Sequence, residues 1–233
     1  MNTRSLHTLS YVVFFLGVLL GFAIAVVTIW NRLEAISYFF TGAKYDPFDG
    51  LRCPVMIAPT EQGTVTADFH NATDREDTFF YRAEISGLPS TRRVEGQITV
   101  PPGQTEKLKL TVDADDVDLK FFIFVRLNLL PHSGNPFRDA VCGIMVVDLL
   151  GLTGMQIFVA ALSLSILGLV VGFVLWQKTR TRDDENLPRI MLALGLLVLL
   201  AMFTGFMGWW LPGMALAAIT ILLVLVLARV AIA

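Results

Sequence analysis

Residues able to do chemistry are few in this chain, and they are thinly spread. They comprise two cysteines (Cys53, Cys142), three histidines (His7, His70, His132) and one dense acidic run, Asp113-Ala-Asp-Asp-Val-Asp118. A lone cysteine pair cannot supply the three or four clustered ligands that zinc needs, so the pair predicts a disulfide closing a loop of about ninety residues. The histidines have no cysteine or histidine companion at metal-ligand spacing and read as solvated side chains. The acidic run could suggest Ca²⁺. An EF-hand loop beginning at Asp113, however, needs an oxygen ligand in fifth place and glycine in sixth, where Val117 and Asp118 stand. A solvated inter-strand turn is the expectation instead. No Gly-rich phosphate loop, nucleophile elbow or intramembrane carboxylate pair is present. The expectation is therefore no catalytic residue, no cofactor and no metal. Asn71-Ala-Thr73 matches a glycosylation acceptor, but an Asn-centred turn accounts for it equally well.

The elements that would carry these residues are set by where hydrophobicity lies. Four long apolar runs cover about 10–30, 153–176, 190–209 and 213–231, and none contains Asp, Glu, Lys or Arg before Arg229. Each is long enough to cross the ~30 Å hydrocarbon core of a bilayer as a helix. The first run continues past Ala23-Ile-Ala25 through Trp30, which favours an anchor over a cleaved leader. Segments 1–10 and 177–189 with the C-terminal end hold six Lys/Arg against three Asp/Glu, whereas 31–151 holds twelve against seventeen. The Lys/Arg bias puts both termini in the cytoplasm and 31–151 outside. Trp30, Trp176, Trp209 and Trp210 fall at run ends, where indole favours the headgroup level. Gly208-Trp-Trp-Leu-Pro212-Gly213 reads as a tight external hairpin.

The intervening segment alternates with period two. Val65, Ala67 and Phe69 form one apolar stripe, and Phe79, Tyr81, Ala83 and Ile85 another. Leu108, Leu110 and Val112 form a third, and the longest runs from Leu119 and Phe121 through Ile123, Val125, Leu127 and Leu129. With Cys53–Ile57, 94–100 and 141–147, the pattern predicts about seven antiparallel strands. Turn residues at Gly63, Asn71–Asp74, Gly87-Leu-Pro89 and Pro101-Pro-Gly103 separate them. Seven short strands in under a hundred residues fit an Ig-like β-sandwich.

Asp68-Phe-His-Asn-Ala-Thr-Asp74 and Val100-Pro-Pro-Gly-Gln-Thr105, followed by Leu108-Lys-Leu-Thr-Val112, resemble bacterial Ig-like accessory domains. The CARDB type and the C-terminal Ig-like domain of FixG-type proteins are the nearest, over roughly 60–130 and none of the apolar runs. The resemblance implies a role in binding or assembly and carries over no catalytic residue. The iron–sulfur cysteine motifs of FixG-type proteins are absent here, so their redox role is not implied.

The remaining candidates are packing surfaces. Gly17 and Gly21, and again Gly168 and Gly172, put two glycines one turn apart on a helix face, which supports close helix association in lipid. An aromatic connector with Tyr38, Phe39, Phe40, Tyr45 and Phe48 predicts an interfacial helix and a turn at Pro47, lying at the lipid surface or docking a partner. The 130–138 loop, with His132, Phe137 and Arg138, is a second candidate for recognition.

The domain plan is a tail and first span over 1–32, the connector over 33–52, the sandwich over 53–149 and a three-helix unit over 150–233. The function expected is a non-catalytic accessory or scaffolding subunit of a bacterial inner-membrane complex. Its partners would be other membrane subunits and the lipid bilayer, with no nucleic acid and no small-molecule ligand. The alternatives are a transport-associated or ligand-binding protein using the sandwich loops, or a non-catalytic component of a membrane enzyme.

Overall fold

The computed structural model describes residues 3–40, 46–87, 89–131, 136–179 and 187–232. The chain divides into two compact units, one of Met1–Trp30 with Phe158–Ala233 and one of Asn31–Ile157.

The first unit is helical. It takes residues from α1 (Thr3–Tyr38), α2 (Gly154–Thr179), α3 (Leu187–Phe206) and α4 (Trp210–Ile232). Three helices, over Ser5–Tyr38, Gly154–Thr179 and Pro188–Phe206, are long and apolar enough to cross a membrane, and a shorter apolar stretch covers Trp210–Leu225. Phe14, Val18, Leu169, Trp176, Leu194, Val198 and Ala201 pack its core. α3 ends because Gly208 adopts a left-handed φ of 74°. Trp209 N–H then donates to the Thr204 carbonyl at 2.9 Å and Gly208 N–H to that of Gly205 at 3.1 Å. This paired closure satisfies carbonyls that the helix end would leave open. The turn is thus shorter than the expected 208–213 hairpin, because Trp210 already starts α4 and Pro212 fits its first turn.

The second unit is built on two sheets. The strands are β1 (Asp46–Pro47), β2 (Leu51–Arg52), β3 (Met56–Ile57), β4 (Gly63–His70), β5 (Asp77–Ile85), β6 (Arg92–Val100), β7 (Thr105–Val112), β8 (Phe122–Leu130) and β9 (Arg138–Val146). One sheet runs β1-β9-β8-β5-β6 with β3 also paired to β9, and the other runs β2-β4-β7. The long strands pair antiparallel, whereas β1 and β3 lie parallel to β9. Val65, Ala67, Phe69, Leu110 and Val112 from one sheet share a core with Ala83, Ile85, Ile123, Val125, Leu127 and Ile144 from the other. These are the inward residues of each alternating pattern, and their burial from water is the main driving force here.

Three expectations are corrected. Cys53–Ile57 is not one strand, because the segment leaves the smaller sheet after Arg52 and joins the larger one at Met56. Leu119 and Phe121 are not strand residues; they form an exposed turn that the mutual Asp118–Phe122 backbone hydrogen bonds close at 2.7 and 3.0 Å. No separate interfacial helix occupies the described connector, since 33–38 continues α1. The compact unit that holds the sheets takes in Asn31–Ile157, and the end of α1 within it covers the outer face of the larger sheet.

That cover is specific. Ala35, Ile36, Tyr38 and Phe39 pack on Phe122, Phe124 and Val141, and the Tyr38 ring stacks on Phe124 at 4.6 Å. Gly143 permits it, as a Cβ there would run into the Asn31 carbonyl. The Asn31 amide donates to the Val55 carbonyl at 2.8 Å, and the Tyr38 hydroxyl donates to Asp118 at 2.8 Å.

Candidate functional site

The glycine faces meet each other. A Cβ on Gly17 would lie 2.7 Å from the Leu169 nitrogen, one on Gly168 would lie 2.9 Å from the Gly17 Cα, and one on Gly172 would lie 2.6 Å from the Phe14 nitrogen. Across the same seam Ser165 Oγ donates to the Gly17 carbonyl at 2.9 Å. Gly21 extends the contact to Ser165, Val198 and Met202. Without side chains the α1 and α2 backbones approach to van der Waals distance, which substitutes for a hydrophobic driving force in an apolar medium. The pair of faces therefore closes within this chain instead of being left for a partner helix.

The tryptophans separate into two kinds. Trp30 and Trp209 are exposed and Trp210 is half-buried. Trp176 departs from the expected interfacial placement, being wholly buried in the helical core, with its indole N–H donating to the Tyr11 hydroxyl at 3.1 Å. A buried indole needs such a partner.

Cys53 and Cys142 form a disulfide across 89 residues, with Cα atoms 6.4 Å apart. The bridge ties the segment between β2 and β3 to the middle of β9, and both cysteines pack against the shared core.

Several polar groups of types able to do chemistry serve the structure instead. The acidic run is not a solvated turn, because Asp113 caps a single 3₁₀ turn over Ala114–Asp116 and Asp116 is only 4% exposed. Arg92 grips Asp116 with two hydrogen bonds, Nε to Oδ1 at 3.0 Å and an Nη to Oδ2 at 2.6 Å. This contact holds the Arg92 guanidinium above its ordinary value. Ser86 Oγ donates to the Asp116 carbonyl at 2.7 Å and accepts from Phe124 N–H at 2.8 Å. Asn71, 1% exposed, donates to the Arg75 and Val100 carbonyls at 2.7 and 2.8 Å and accepts from Thr73 N–H and Oγ1. Its amide is fully engaged in a turn. Glu61 Oε2 accepts from Ala58 N–H at 2.9 Å and Gly154 N–H at 2.7 Å. Thr153 and Gln156 add a reciprocal capping box at the start of α2. The Thr-x-x-Gln spacing was readable in the sequence as a helix-start signal.

The recognition candidates are dispersed. Phe48 is a core residue against Phe69, and Phe39 packs under the larger sheet, so neither is free to dock a partner. Phe40 is exposed; Phe137 is half-buried, and Arg138 is exposed at the start of β9. Tyr45 and His132 lie outside the described residues. His70 Nδ1 lies 3.1 Å from Thr105 Oγ1 across the smaller sheet. Among the described residues no group of three His, Cys, Asp or Glu side chains could hold a metal ion.

No family model matches this chain, and no curated protein matches it. Among solved structures it is similar to a cycloisomaltooligosaccharide glucanotransferase of Paenibacillus sp., at 17% identity and a TM-score of 0.35. The alignment covers 44% of this chain and 14% of that one. It is also similar to a β-glucuronidase of Bacteroides uniformis, at 10% identity and a TM-score of 0.32, over 41% of this chain and 12% of that one. Such short and divergent stretches bring neither a fold assignment nor an activity to this chain.

Proposed function

We propose that the chain is a non-catalytic accessory or scaffolding subunit of a bacterial membrane complex, with its four helices in the bilayer and an Ig-like sandwich on the extracytoplasmic side. The observation that carries this reading is the fate of its polar groups. Asp116, Asn71, Glu61 and Ser86 are spent on holding turns, strands and a helix start. Meanwhile α2, α3 and α4 turn large apolar side chains such as Leu164, Phe203 and Leu222 outward. Two sheets sharing one core, with a segment that crosses from β2 in one sheet to β3 in the other, support the Ig-like reading. Outward apolar helix faces suit lipid and neighbouring membrane helices.

The test is purification from native membranes in mild detergent. A complex of fixed stoichiometry, whose activity resides in other subunits and declines when this chain is deleted, is the expected result. Turnover or coupled transport by the purified chain alone, abolished by substituting His70, His132 or the Asp113–Asp118 run, would replace this reading with a catalytic or transport role.

A further inference from the structure

The second unit confines its large exposed apolar side chains to three short segments. Among the described residues of Asn31–Ile157 they are Phe40, then Leu119 and Phe121, then Leu149, Leu150, Leu152 and Met155. Hydrogen bonds bring the segments to one end of the unit. Val146 N–H donates to the Phe121 carbonyl at 2.8 Å, which joins the end of β9 to the 119–121 turn. Tyr38, at the end of α1 and two residues before Phe40, donates to Asp118 beside the same turn. The exposure is large, 93% for Phe40 and 89% for Leu150.

The backbone gives a second, independent sign. Among the described residues, the non-glycine positions with positive φ are Phe40 (49°), Leu119 (47°), Lys120 (72°) and Leu150 (54°). All four belong to this rim. A left-handed backbone disfavours bulky side chains, and residues held there cluster where function requires them. Here the strain holds leucine and phenylalanine outward at turns where asparagine or glycine would be more stable in water.

We propose that this rim is a lipid-contacting face seated at the boundary between headgroups and acyl chains. Leu119, Phe121, Leu149 and Leu150 enter the apolar side, and the Lys120 ammonium, on its flexible stem between Leu119 and Phe121, reaches lipid phosphate. Continuity selects lipid as the occupant, because Leu152 and Met155 carry the rim directly into α2, which is long and apolar enough to cross a membrane. The inference rests on the membrane reading of the helices.

Collision accessibility of nitroxide labels tests it on the full chain in vesicles of phosphatidylcholine with a minority of phosphatidylglycerol. Labels go on Leu119→Cys and Leu150→Cys at the rim, Leu164→Cys on α2 and Gln97→Cys on the exposed side of β6. Retention of the native disulfide and of β-sheet circular dichroism checks that each variant is folded. Labels at 119, 150 and 164 should collide preferentially with oxygen, and the label at 97 with an aqueous nickel chelate. Nickel access at 119 and 150 matching that at 97, while 164 remains in lipid, overturns the rim and leaves the helix reading standing. Shielding of 119 and 150 from both reagents identifies a protein partner or second copy and also overturns it. Nickel access at 164 defeats the helix reading, and the rim proposal with it.

Discussion

Single residues in the β unit act mainly by closing hydrogen-bond inventories. Asn71 serves four bonds from one buried amide, so Asn71→Ala strands the Val100 carbonyl in the core. That change should cost about 2–3 kcal/mol, since a buried polar group left unpaired loses water without compensation. Thermal or denaturant unfolding of the full chain in detergent measures it, and an unchanged midpoint would mean that water reaches the turn. The disulfide acts on the unfolded chain instead. Removing an 89-residue closure should cost at most about 4–5 kcal/mol of unfolding free energy. Cys142→Ser should therefore lower the unfolding midpoint under non-reducing conditions, and reductant should bring the unmodified protein to the same value.

Two elements carry predictions of opposite sign. The α1–α2 seam has no room for side chains, so Gly17→Ile with Gly168→Ile forces the backbones apart and should destabilise the helical unit by at least about 2–3 kcal/mol. Gly195 on α3 has open space where its Cβ would stand, so Gly195→Ile should leave the midpoint unchanged. Equal loss in both variants would show that added bulk anywhere on these helices, rather than the seam, decides, since Ile is a better helix former than Gly. The 119–121 turn behaves differently. Leu119→Asn with Lys120→Gly releases two strained residues and should raise stability by about 1–2 kcal/mol. That gain should appear as a higher unfolding midpoint of the full chain.

At the scale of the molecule, the distribution of charge predicts its placement across a bilayer. On the proposed membrane reading, the Lys/Arg bias predicts 177–189 in the cytoplasm and 31–151 on the opposite side. Membrane-impermeant thiol reagents applied to intact cells should therefore label a cysteine introduced at Ser90 and spare one at Thr181. Labelling at 181 from outside would reverse the orientation.

The sequence by itself determined the properties that depend on runs and periods along the chain. Charge-free apolar stretches produced the long helices, and period-two alternation placed β4, β5, β6, β7 and β9, because each pattern is satisfied locally whatever the element packs against. The disulfide was legible from cysteine count alone. The run Phe122-Ile-Phe-Val125 was legible only as part of an alternating stripe, so the burial of its second face under α1 went unread. Only the tertiary structure decided which surfaces meet. It paired the two glycine faces with each other, laid 31–39 of α1 over Phe122 and Phe124, and sank Trp176 onto Tyr11. It also turned an acidic run into an ion pair through Arg92, distant in sequence. These are contacts between residues separated by 24 to 165 positions. Their energies depend on shape and desolvation at the meeting point, which no local pattern encodes.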